Sequence, residues 1–143
     1  MHFHVGADDT GPAPQAVIDH LRERGHDVTP SGPLAGEERG WADVAHDVAH
    51  AVASGEADQG VLFCWTGTGV SMTANKTPGI RAALCGDAET ARGARAWNDA
   101  NVLCMSLRTI TPILAREIID AWLAAEVDES EREQIARIEQ AAD

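Results

Sequence analysis

Cys64 is the residue most suited to chemistry in this sequence. It ends the apolar run VLFC and is followed at once by WTGTGVSM. A glycine-rich turn after a strand lets backbone N–H groups approach an anion. A thiolate accepts a proton readily, and a turn of N–H dipoles suits an anion beside it, so Cys64 is a candidate proton carrier. The sequence leaves open whether the thiol is reactive or only structural. It also raises the question of why Trp65 opens such a turn.

Other candidates are weaker. Asp8 and Asp9 are adjacent carboxylates in GADDTG. Such neighbours raise one another's pKa, so either is a possible acid–base. His46 and His50 are four apart at metal-binding spacing, but no third ligand is evident, so no metal is expected and the pair is read as solvated. His4 is expected to be buried and hydrogen-bonded. Cys85 and Cys104 read as small hydrophobes. The odd cysteine count argues against a disulfide framework.

The chain has 143 residues, 44% hydrophobic and 24% charged, which suits one domain spanning 1–143. Its net charge of −12 disfavours nucleic acid and anionic membranes as partners. No apolar run has the length of a membrane span, and the start lacks the pattern of a signal peptide, so a cytoplasmic protein is expected.

Short apolar runs alternate with helical stretches. Strands are expected at 3–7, at HDVTP ended by Pro30, and at 60–64, 80–85 and 101–105. Helices are expected at 13–24, 41–54, from the TGTG turn to Lys76, at 88–97 and at 112–125. Ile113, Ile118, Ile119 and Leu123 are expected to face inward from the helix that Pro112 opens. Residues 128–141 read as a charged helix that either lies on the surface or reaches a neighbouring subunit. The alternation predicts an α/β fold, a doubly wound five-stranded parallel sheet with helices on both faces. Ligands in such folds lie beyond the carboxyl ends of the strands, which groups Asp8, Asp9, Cys64 to Gly69, Asp87 and Arg108 at one rim.

GADDTG (6–11), VASGEADQGVLFCWTGTGVSMTANKTPGIRAALCGDAETAR (52–92), WNDANVLCM (97–105) and EIIDAWL (117–123) follow one another at a familiar spacing. Together they resemble the type B ribose-5-phosphate isomerases and the galactose-6-phosphate isomerase subunits, over nearly the whole chain. The resemblance implies a Rossmann- or flavodoxin-like sheet and a homodimer or homotetramer with its sites at the subunit interface. It also implies metal-independent, cofactor-free aldose–ketose isomerisation of a small sugar phosphate through an enediolate.

Carried onto this sequence, the resemblance makes Cys64 the base and Thr66, Gly67, Thr68 and Gly69 the anion hole. Asp8 contacts sugar hydroxyls, Asn98 binds a substrate oxygen, and Arg108 offers a cation. The departures are equally specific. Asp9 and Trp97 stand where the family has histidines, the second of them the ring-opening acid–base, which an indole cannot replace. Trp41 replaces a tyrosine and Trp65 a glycine. Glu131 and Ile135 fall at the positions of the phosphate-binding arginines. These changes point to an altered, non-phosphorylated or modified substrate, in a pocket lined by Trp41, Trp65 and Trp97 at one rim. The alternatives are the fold repurposed for other proton-transfer, cyclisation or dehydration chemistry, and a non-catalytic subunit.

Overall fold

The computed structural model describes residues 1–140. Five strands, β1 (His2–Ala7), β2 (Asp27–Ser31), β3 (Gln59–Cys64), β4 (Ala82–Leu84) and β5 (Val102–Ser106), form one parallel sheet in the order β2-β1-β3-β5-β4. The helices are α1 (Pro12–Glu23), α2 (Trp41–Ala53), α3 (Thr68–Ala74), α4 (Ala88–Asn98), α5 (Pro112–Ala124) and α6 (Arg132–Ile138). The predicted α/β doubly wound fold is the observed one.

Strand β3 is buried at every position because helices cover both faces of the sheet. Phe3, Val5, Val61, Phe63, Leu103 and Met105 point to the α1, α4 and α5 side. Leu62, Cys64, Val102 and Cys104 point to the α2 and α3 side. Trp122 of α5 is 1% exposed, and its Nε1 donates to Gln59 Oε1 at 2.7 Å. That bond ties α5 to the start of β3. Trp122 is therefore core.

The structure corrects three expectations. Strand β2 runs through Pro30 to Ser31 rather than ending at the proline. It pairs only with β1, so the missing N–H can lie on the open edge. Ile113 is 68% exposed rather than inward. The buried stripe of α5 is Ala115, Ile118, Ile119 and Trp122, and at about 100° per residue Ile113 falls on the opposite side. The last helix is α6, shorter than 128–141 and preceded by a single 3-10 turn at Glu129–Glu131; residue 141 lies outside the described residues.

Candidate active site

The strand order reverses between β1 and β3: the chain first steps from β1 to β2, then crosses back to build β3 on the other side. Ligands in doubly wound folds sit at such a switch point, beyond the carboxyl ends of the strands. Ala7 and Phe63 are register partners there. One residue further along each strand stand Asp8 and Cys64.

Cys64 is 5% exposed on the α2 and α3 side. The backbone after it is held in place by the next loop. Leu107 N donates to Cys64 O at 2.9 Å, Arg108 N to Trp65 O at 3.2 Å, and Ser106 Oγ to Trp65 O at 2.8 Å. Gly67 has φ 77° and opens α3. A Cβ there would meet the backbone carbon and oxygen of Met105 at 2.9 and 3.0 Å. The turn is thus pressed onto the end of β5, and only glycine fits. Thr66 Oγ1 and Thr68 Oγ1 share a hydrogen bond of 2.7 Å across its mouth. The sequence reading missed Ser106; its signal was a lone hydroxyl ending an otherwise apolar strand.

The other two cysteines lie deeper in the core. Burial pushes the Cys85 thiol up to about 12 and raises Cys104 as well. His4 is buried, bonded through Nε2 to Ser31 Oγ, and its pKa is lowered by burial. His46 and His50 are exposed and stack on each other at 5.9 Å.

Of the two N-terminal carboxylates, Asp9 is exposed and accepts a hydrogen bond from Thr10 N at 2.8 Å. Asp8 is half-buried, and its pKa is raised by burial, with the charge of Asp9 adding to the effect. A carboxyl whose pKa is higher in the folded than in the unfolded state costs stability as pH rises above its ordinary value. Asp8→Asn should therefore melt above the wild type at pH 7, with the gap closing as pH falls towards 4. Parallel thermal melts across that range test this; a gap that widens on acidification would contradict it.

Asp87 caps α4, accepting from Thr90 N at 2.7 Å, and that bond lowers its pKa. Arg108 is exposed, and none of the ion pairs among the described residues involves it. Arg132 pairs with Glu129 and Asp99, and Arg137 pairs with Glu133. Ile135 is buried, so the expected arginine positions present no cation.

The three indoles have different neighbours. The Trp41 ring lies against Gly69 of α3. Trp65 is 65% exposed and borders a small cleft formed by Asp9 to Pro14, Leu107 and Ile110. Trp97 packs on Gly93, with the Arg92 guanidinium 5.1 Å from its centroid, in a groove beside Leu84. Asn98 borders the same groove and also a concavity beside Asn75, Lys76 and Arg81. One rim was expected for the indoles. Trp97 and Asn98 instead end α4, the helix that leads back to the start of β5, so one chain does not gather them with Trp65.

Comparison with known proteins agrees with this fold. The sequence profile described as Ribose/Galactose Isomerase matches residues 3–140. This chain belongs to the ribose/galactose isomerase family. Among sugar-phosphate isomerases of this family, it is similar to the D-erythrulose-4-phosphate isomerase of Pectobacterium atrosepticum, 42% identical over 130 residues, which span 90% of this chain and 86% of the relative. It is similar to ribose-5-phosphate isomerase B of Escherichia coli, also 42% identical, over 82% of this chain and 79% of the relative. The solved ribose-5-phosphate isomerase B of Clostridium thermocellum superposes with a TM-score of 0.90 at 38% identity, covering 97% of this chain and 95% of that one. No described helix is long and apolar enough to cross a membrane.

Proposed function

We propose that this family member isomerises an open-chain, non-phosphorylated or modified sugar by moving a proton between adjacent carbons through an enediolate. The observation that carries the proposal is the placement of Cys64. The thiol ends the central strand beside the switch point, directly before a turn fixed by Gly67. Cys64 would take the proton from one carbon and return it to its neighbour. The N–H groups of residues 66–69 would hold the oxyanion formed meanwhile. Asp8 would hold the substrate hydroxyls. No metal or cofactor enters this scheme.

In a second copy of the chain, Trp97 and Asn98 could complete the site across an interface. Homodimers or homotetramers with shared sites are what the resemblance implies, and the separation of these residues from Trp65 within one chain supports it. Trp41 and Trp65 would offer apolar faces to the substrate's C–H groups.

Two observations support the altered substrate. Trp97 has no basic nitrogen with which to open a ring, and Arg132 and Arg137 are already paired with acids of their own chain. The relative from Pectobacterium is named for a four-carbon ketose phosphate, a chain too short to close a five-membered ring on C2, which fits a site without a ring-opening histidine. A second reading, other proton-transfer chemistry with Asp8 as acid–base, is supported by the raised pKa of that carboxyl. Product mass separates the two readings, because isomerisation leaves it unchanged.

On D-ribose 5-phosphate we expect kcat/KM to be at least about 100-fold below that of a relative carrying the histidine, the usual scale for a missing general acid–base group. Trp97→His should recover part of it. Wild-type turnover equal to the relative's would end the altered-substrate reading.

A further inference from the structure

The loop between β2 and α2 brings a second set of polar groups to Asp8. Gly32, at φ 67°, sits so close to the end of β1 that a Cβ would come 2.8 Å from Ala7 O. Glu37 N donates to Gly32 O at 3.1 Å, which folds the loop back on itself. The result is an open cleft lined by Asp8, Pro33, Glu38, Arg39 and Gly40.

Arg39 in this cleft is already oriented. Its Nε lies 2.8 Å from Asp47 Oδ2, and its Nη2 donates to Asp47 Oδ1 at 2.9 Å. One hydrogen bond and the ion pair hold the guanidinium against α2, while Nε itself is buried without a hydrogen-bond partner among the described residues. Among the described residues Nη1 has no partner, and the side chain is 34% exposed.

Charge decides what the cleft accepts. Asp47 neutralises Arg39, while Asp8 and Glu38 add two carboxylates. A phosphate there would meet no net positive charge and two like charges, which disfavours it. Sugar hydroxyls suit the same groups: the carboxylates accept their protons and Arg39 Nη1 donates to their oxygens.

We propose that Arg39, oriented by Asp47, determines specificity by reading the hydroxyls of an uncharged polyol tail together with Asp8 and Glu38. This deepens the substrate reading above and rests on it. Asp47 is the positioning residue.

The experiment uses the full chain, with D-ribulose and D-ribulose 5-phosphate as probes. Binding is measured by ligand-observed NMR, and enediolate formation by deuterium uptake from heavy water. For Arg39→Met we expect KM and Kd for D-ribulose to rise about 10-fold, the scale of a lost charge-assisted bond, with kcat within about threefold. Asp47→Asn should move KM in the same direction with circular dichroism unchanged, and Arg39→Lys should restore only part of the affinity. Glu38→Gln should improve the phosphate ester relative to the free sugar. Unaltered KM and Kd in Arg39→Met would overturn the proposal, as would absence of D-ribulose binding to the wild type. Binding that Arg39→Met weakens, with no deuterium uptake by the wild type, would instead support the subsite and remove the isomerase reading.

Discussion

Cys64→Ala should lower kcat by roughly 100- to 10,000-fold, the range that a positioned proton carrier contributes. Deuterium uptake at the carbon next to the carbonyl, followed by NMR in heavy water, reads the proton-transfer step directly. The substitution removes one sulfur from the edge of the buried cluster on the α2 and α3 side, so the fold should survive and the thermal midpoint should shift little. Cys64→Ser keeps the shape but offers a far weaker acid, and should fail nearly as badly. Full deuterium uptake in Cys64→Ala would move the base to Asp8 or Asp9. Asp8→Asn, the more stable variant at neutral pH, would then be the one that loses exchange.

Gly67→Ala should be the most damaging single change to the fold around the site. An L-residue at φ 77° carries a strain of about 1–2 kcal/mol. The added methyl would also face Leu84 Cδ1 at 2.6 Å and the Met105 carbonyl group at 2.9 and 3.0 Å. Leu84 is a side chain and can move, but the backbone of β5 cannot move without disturbing its pairing with β3 and β4. With overpacking costs of the usual size, the total loss is roughly 2–5 kcal/mol. A urea unfolding curve measures it. Gly69→Ala is the control: it has no left-handed backbone, and its new methyl would meet the Trp41 ring, the end of a half-exposed side chain. It should cost clearly less. Equal midpoints for Gly67→Ala and wild type would mean that β5 does not pin the turn.

The aromatic residue that opens the turn fits the same picture. Trp65 precedes the tight contact at Gly67 and lies outside it, with its carbonyl held by Ser106 Oγ and Arg108 N. The side chain projects outward over the Asp9–Pro14 segment. A bulky residue is tolerated at this first position because the turn needs its glycine two residues later.

The side-chain amides of the β4 edge illustrate what patterning alone could not supply. Only three residues of the expected 80–85 strand pair as β-structure. Two asparagines hold its start and the residues before it. Asn75 exchanges hydrogen bonds with Ala82 in both directions, at 2.8 and 3.0 Å. Asn101 accepts from Arg81 N at 2.7 Å and donates to Gly79 O at 2.9 Å. The apolar run IRAALC signals a strand, but an edge strand this short depends on partners distant in sequence.

The sequence by itself determined the layered α/β architecture, the buried central strand, the thiol before a glycine turn and the family. Each of these depends on local chemistry: periodicity, an unbroken apolar run, or residue types at fixed spacing. Tertiary structure alone decided the neighbours. The course of α4 carried Trp97 and Asn98 away from Trp65, and the β2–α2 loop set Arg39 in the cleft of Asp8. Such contacts join residues tens of positions apart, and they are selected by packing across the whole sheet, which no local pattern encodes.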